Sequence, residues 1–300
     1  MNFMKTSSNE KKIKNQWFAK LVRMKRVPFI PAVPLAILTI LVAAALFAPL
    51  IAPYSPLEGN LKDKLVPPRF WEGGKPEYFL GTDFLGRDVL SRLIYGARVS
   101  LSVAFLAIFV SGSFGTILGL VSGYAGGSVD NVLMRMTDVG MSMPMLLLAI
   151  VLVAVFGASY ANIILVVVLV IWPKYARQVR GETLGVKEQE FVALARVSGC
   201  SHMRIVCRHI LPNVIPTMLV VATLQVGWVI IMESSLSFLG VGIPIPTPAW
   251  GVMVAEARGL VASAWWIALF PGAAIMITVA SLNLLGDWLR DRLDPKLRSI

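Results

Sequence analysis

Long stretches without a single charged residue constrain this chain more than any other feature. They run from Val27 to Leu57, Val99 to Val129, Val139 to Pro173, His209 to Met232 and Gly259 to Gly286. A helix needs about 20 mostly apolar residues to cross the hydrocarbon of a bilayer, so each stretch can span. The stretch from Val139 to Pro173 is broken at Gly157-Ala158-Ser159, which predicts two spans that each draw a turn from charged flanks. The expectation is therefore an all-α polytopic membrane protein with six transmembrane helices, embedded in lipid. Composition agrees, with 56% hydrophobic and 15% charged residues, against about 25% charged in soluble domains.

The net charge of +11 does not point to nucleic acid, because of where the cations lie. Eight of the 28 Lys and Arg precede the first span, one is Arg135, seven lie between Lys174 and Arg208, and four follow the last span. Excess Lys and Arg beside span ends marks the cytoplasmic side, so both termini are expected in the cytoplasm. The charged N-terminal region is long, and its apolar stretch exceeds the roughly 7–15 residues of a signal core. A retained first span is expected rather than a cleaved leader.

The same runs divide the chain into parts. Residues 1–33 form a basic arm, 34–52 the first span, and 53–97 an external loop ending in an interfacial helix capped at Thr82-Asp83. Residues 98–288 form a five-helix core with a cytoplasmic loop over 178–212, and 289–300 a tail. The second span repeats a small residue every fourth position at Ser111, Gly115, Gly119 and Gly123, a stripe that lets another helix approach to backbone contact. That neighbour can belong to this chain or to a second subunit. Methionines 134, 136, 141, 143 and 145 are read as packing residues rather than a metal path.

The segment CSHMRIVCRH, Cys200–His209, holds both cysteines and both histidines of the chain. On a helix capped by Ser201, turning about 100° per residue, the cysteines share one face and the histidines the opposite one. Four ligands pointing two ways do not converge on a tetrahedral ion, so no metal site is expected, nor a disulfide on a reducing face. The loop reads instead as two short amphipathic helices about Gly199. Phe191, Leu194, Ala195 and Ser198 line the first, and Met203, Val206, Cys207 and Ile210 the second. Arg204 and Arg208 form a basic ridge beside the second stripe. Such a surface suits docking into a partner's groove; the alternative is that the stripes pack under the chain's own helical bundle.

Glu233 is the one acid well inside an apolar run. A buried carboxylate is costly unless partnered, so it is either a gate or substrate contact or a structural cap on the external loop. Arg135 with Asp138, and Asp287 with Arg290, are expected as local ion pairs. No Ser-His, His-Glu-x-x-His or paired-Asp arrangement lies in the spans, and no catalytic residue is assigned.

The loop resembles that of inner permease subunits of ATP-binding-cassette importers: Glu-Ala-Ala, three residues, Gly, nine residues, Ile-x-Leu-Pro. Ala195, Gly199, Leu211 and Pro212 match, while Ala193, Leu194 and His209 depart from it. Further motifs are similar to the second (C-type) permease of the dipeptide, oligopeptide and nickel branch. They are LGTDFLGRDVLSRLIYGAR at Leu80–Arg98, FVALARVSG at Phe191–Gly199, RHILPN at Arg208–Asn213, LSFLGVGIPIPTPAWGVM at Leu236–Met253 and NLLGDWLRDRLDPKL at Asn283–Leu297.

The resemblance implies a type I importer permease fold without enzymatic activity of its own. It implies an assembly of two homologous permeases, two cytoplasmic ATPases that bind ATP and Mg, and an external or periplasmic substrate-binding protein. The loop residues Phe191, Ala195, Gly199, Met203, Val206, Arg208, Leu211 and Pro212 would couple ATPase closure to alternating access for di- or oligopeptides. Chelated nickel is the alternative cargo, and a stand-alone secondary transporter or channel a third reading. This chain has no Gly-x4-Gly-Lys-Ser/Thr nucleotide loop of its own. Leu80–Arg98 and Gly240–Gly251 are the expected meeting surface for the binding protein, with Trp71, Phe79 and Trp250 alternatively membrane-interface aromatics.

Overall fold

A computed structural model describes residues 31–293. It separates Met1–Ala32 from a larger unit, Val33–Ile300, which holds the helical bundle. Residues 1–30 of the expected arm and 294–300 of the expected tail lie outside the described residues.

The helices in order are α1 (Ala32–Leu46), α2 (Ala48–Ile51), α3 (Val89–Ala125), α4 (Gly127–Ser142), α5 (Met145–Phe156), α6 (Tyr160–Lys187), α7 (Glu190–Val197), α8 (His202–Ile205), α9 (Leu211–Phe238), α10 (Trp250–Glu256) and α11 (Trp266–Leu293). A π-helical turn, Val206–Ile210, joins α8 to α9 without a break.

Among the described residues, four helical runs are long and apolar enough to span: α3, α6, His202–Phe238 and α11. The other two expected spans differ from the sequence reading. The third is the pair α4 and α5, bent by 93°, because Pro144 stands at the junction and proline can neither donate to nor fit the preceding helical turn. The first is only a 15-residue helix. It stops at Leu46 because Pro49, three residues on, lacks the N–H that would bond Ala45.

The break expected at Gly157-Ala158-Ser159 is present. Gly157 takes φ +80°, and the Ser159 hydroxyl caps α6 by accepting from the Asn162 N–H at 3.1 Å. The interfacial helix expected from Thr82 is absent as a separate element. Asp88 is the cap, accepting from the Ser91 N–H at 2.7 Å, and a single 37-residue helix runs on from there. The chain cannot turn helical earlier because Gly86 sits at φ +72°, pressed against the Asn60 carbonyl.

Lipid tails are as apolar as leucine, so helices in a bilayer gain little by merely hiding side chains and associate through close packing. The α3–α6 seam shows this. Ser111, Gly115, Gly119 and Gly123 are all buried, and the three glycines face α6 of this same chain. A Cβ on Gly115 would lie 2.6 Å from Tyr175 Cβ, and one on Gly119 2.6 Å from the Ala176 carbonyl oxygen. Around that seam Val103, Ala104, Ala107, Ile163, Val167 and Ile171 form the buried core with Val229, Ile230 and Leu236 of α9.

Candidate functional site

The loop expected over 178–212 is mostly helix. α6 continues ten residues past its expected inner end at Arg177, and α7 follows from Glu190. Gly199 ends α7 at φ +76°, with the Cys200 N–H reaching the Ala195 carbonyl and the Gly199 N–H the Arg196 carbonyl, each at 3.1 Å. Those two bonds make a Schellman cap, which needs a residue comfortable at positive φ. Ser201 then caps α8 by accepting from the Arg204 N–H at 3.4 Å.

The two expected apolar stripes are divided. Val192, Ala195, Ile205 and Ile210 pack under the bundle with Leu120, Val179, Val186 and Val214. Phe191, Leu194, Val197 and Met203 remain 37%, 66%, 87% and 74% exposed. Val206 is half-buried, Cys207 exposed, and Ile205, which falls off the expected stripe, is fully buried. The reason is the π turn, which winds more residues per turn than an α-helix, so a wheel drawn at 100° per residue loses phase across it. Leu211 is half-buried and Arg208 and Pro212 exposed at its end.

The two histidines of Cys200–His209 have different neighbours. His202 Nδ1 lies 2.7 Å from the Tyr124 hydroxyl, while the His209 ring sits by Phe191, 6.4 Å between centroids. Among the described residues no group of three or more His, Cys, Asp or Glu side chains could hold a metal ion.

Glu233 is 1% exposed, inside α9. The Ser237 hydroxyl donates to its Oε1 at 2.8 Å and the Ser100 hydroxyl of α3 to Oε2 at 3.5 Å. Both hydroxyls also accept backbone N–H groups, Ser237 from Ile243 in the α9–α10 loop and Ser100 from Trp250 at the start of α10, each at 3.3 Å. Thus Glu233 ties α3 and α9 to the segment between α9 and α10 through two serines, with no cation within ion-pair distance among the described residues.

Sequence reasoning missed a buried ionic cluster on the opposite side from the α7–α8 loop. Asp83 Oδ2 receives Arg87 Nε at 2.6 Å and Arg92 Nη1 at 2.5 Å. Glu256 of α10 pairs with the same two arginines at 3.1 and 2.7 Å. The spacing of Asp83, Arg87 and Arg92 is legible locally, but Glu256 lies 169 residues from Arg87. Trp250 is buried, its indole N–H donating to the Leu93 carbonyl at 3.0 Å, so it is no interfacial aromatic. Trp71 and Phe79 are exposed.

The expected local ion pairs are also corrected. Asp138 pairs with Arg177 of α6 rather than Arg135, and Asp130 takes Arg180 in a two-point contact at 2.6 Å for each bond. Helix α4 lies against α6, so the nearer cations come from there. No ion pair joins Asp287 to Arg290 among the described residues; Arg292 instead lies over the Trp288 ring.

Comparison with known proteins matches residues 115–299 to the family described as binding-protein-dependent transport system inner membrane component. Residues 33–68 match the N-terminal TM domain of oligopeptide transport permease C. The dipeptide transport system permease protein DppC of Haemophilus influenzae is 41% identical over 88% of this chain and 90% of its own length. The di/tripeptide permease DppC of Pseudomonas aeruginosa is 39% identical over 88% of each chain. The glutathione transport system permease protein GsiD of Escherichia coli is 42% identical over 86% of this chain and 84% of its own. In fold, the chain is similar to the inward-facing MetNI methionine ABC transporter, with a TM-score of 0.57 at 16% identity over 68% of this chain and 96% of that one. The chain belongs to the inner-membrane components of binding-protein-dependent transport systems, as a C-type permease subunit of an ATP-binding-cassette importer.

Proposed function

We propose that this chain forms half of the translocation pathway for small peptides, paired with a second homologous permease. Two cytoplasmic ATPases would bind ATP and Mg, and an external binding protein would deliver cargo; this chain itself holds no cofactor. Relatives named for dipeptides, di/tripeptides and glutathione resemble it to within three points of identity, so the substrate class is a short peptide backbone, γ-linked forms included. The family match and the bacterial relatives support a location in the bacterial inner membrane, and the cation distribution supports both termini and the α7–α8 loop in the cytoplasm.

The observation that carries the coupling role is the exposed quartet Phe191, Leu194, Val197 and Met203 on α7 and α8. Three of these side chains lie on α7 and the fourth, Met203, on α8, which runs without interruption into α9; together they offer an ATPase a hydrophobic handle, and motion of that handle would displace α9. The test is copurification. Leu194→Asp and Met203→Asp should release the ATPase seated on this chain from the solubilised complex while the permease pair stays intact, and Gly199→Val should do the same by straining the cap. Transport by the purified chain alone, without ATP, would sink the proposal, as would undiminished ATPase capture by the Asp variants.

A further inference from the structure

The coupling segment has a second attachment to the membrane helices, besides its covalent continuation into α9. It lies at Tyr124, in the last turn of α3. The Tyr124 hydroxyl and His202 Nδ1 share a hydrogen bond at 2.7 Å, and the two rings meet edge to face with centroids 5.7 Å apart. The Tyr124 carbonyl accepts from Lys187 Nζ at 2.8 Å, and that ammonium also stands 5.8 Å from the Tyr124 ring centre. Three elements therefore converge on one residue: the end of α3, the end of α6 and the first residue of α8.

What α3 reaches gives this contact its meaning. With 37 residues at about 1.5 Å each, it is a rod of roughly 55 Å. At its other end it carries Arg92, Leu93 and Ser100, which hold Glu256 and the Trp250 backbone and indole N–H groups of the external loop and α10. Between the ends, its glycines seat it against α6 without room to slide. Gly126 and Gly127 follow at φ +68° and +57° with open space around them, so the rod stops just past Tyr124. The other route from α8 runs through the π turn, an irregular piece of helix often found where function requires one.

We propose that Tyr124 is a positioning residue for the transport cycle, passing displacement of α8 through His202 to α3 and so to the external loop. This rests on the α7–α8 element being the ATPase handle. Losing one net hydrogen bond shifts a two-state balance by about fivefold.

The experiment uses the complete transporter in proteoliposomes, reading uptake of labelled alanyl-alanine per ATP hydrolysed. Tyr124→Phe keeps the ring and removes the hydroxyl; it should retain both ATPases and lower the uptake-to-hydrolysis ratio by about fivefold. His202→Ala should lower it similarly, and the double variant no further, since both remove one contact. His202→Asn, whose amide can occupy the place of Nδ1, should recover most of the ratio. A ratio unchanged in Tyr124→Phe, or losses that add in the double variant, overturns the inference. The parent reading fails separately, if Leu194→Asp and Met203→Asp still hold the ATPases.

Discussion

Replacing Gly119 by alanine adds one methyl group at the tightest part of the α3–α6 seam. The new Cβ would lie 2.6 Å from the Ala176 carbonyl oxygen and 2.7 Å from Val179 Cβ. Carbon atoms pack best about 3.5–4.0 Å apart, so the helices must separate by roughly 1 Å or tilt. Overpacking of this kind costs about 1–3 kcal/mol. The intrinsic gain of alanine over glycine in a helix, about 1 kcal/mol, acts in the opposite direction and must be removed from the comparison. Gly181 of α6 provides that control, because a Cβ there meets nothing within 4 Å. The difference between Gly119→Ala and Gly181→Ala isolates the seam. Gly112→Ala is a second control, since its Cβ would sit at an ordinary 3.5 Å from the Tyr175 ring. The assay is SDS-induced unfolding in mixed micelles, followed by far-ultraviolet circular dichroism. Gly119→Ala should unfold at clearly lower SDS fraction than either control. Equal midpoints for all three would refute the close-packing argument.

The remaining predictions concern buried polar groups and ion pairs. Glu233→Gln preserves shape and an acceptor for the serine hydroxyls, and should stay within about 1 kcal/mol of the parent, whereas Glu233→Ala leaves Ser100 and Ser237 short of a partner and should cost about 1–3 kcal/mol. Equal losses for both would mean the hydrogen bonds are immaterial. Arg92→Met leaves Asp83 and Glu256 to share Arg87 alone and should cost about 3–5 kcal/mol, measured in the same SDS titration; a stable Arg92→Met would show that the cluster is not held by charge. The Asp130–Arg180 pair is mostly shielded while Asp138–Arg177 is 64% and 48% exposed. Asp138→Asn should therefore change stability by under about 1 kcal/mol and Asp130→Asn by more, and the reverse order would contradict the burial argument.

Much of the architecture was readable along the chain, and the residues show why. Uncharged stretches report solvent directly, because a charge in hydrocarbon is costly wherever it sits. Gly157 and Gly199 announced helix ends because positive φ is a property of a single residue. The small-residue stripe from Ser111 to Gly123 announced a close helix contact, but its owner, α6 of the same chain, was left open. The α7–α8 loop was recognisable by its motif, while which of its apolar residues are buried was left open. Ile205 and Ile210 are both buried, although a regular helix would set them about 140° apart. A wheel with a fixed turn cannot foresee the π turn at Val206–Ile210.

The sequence by itself determined the solvent, the approximate number of apolar segments, the family and the places where the backbone must bend. These depend on single residues or on neighbours within a turn or two, so they survive in a one-dimensional reading. Only the tertiary structure decided that Glu256 completes the charge cluster of Asp83, Arg87 and Arg92. It also decided that Asp138 reaches Arg177 instead of Arg135, that the third apolar segment is bent at Pro144, and that Tyr124 touches His202. Such pairings join residues far apart in the chain, and they form wherever packing brings them within about 3 Å of each other, a distance that no local pattern encodes.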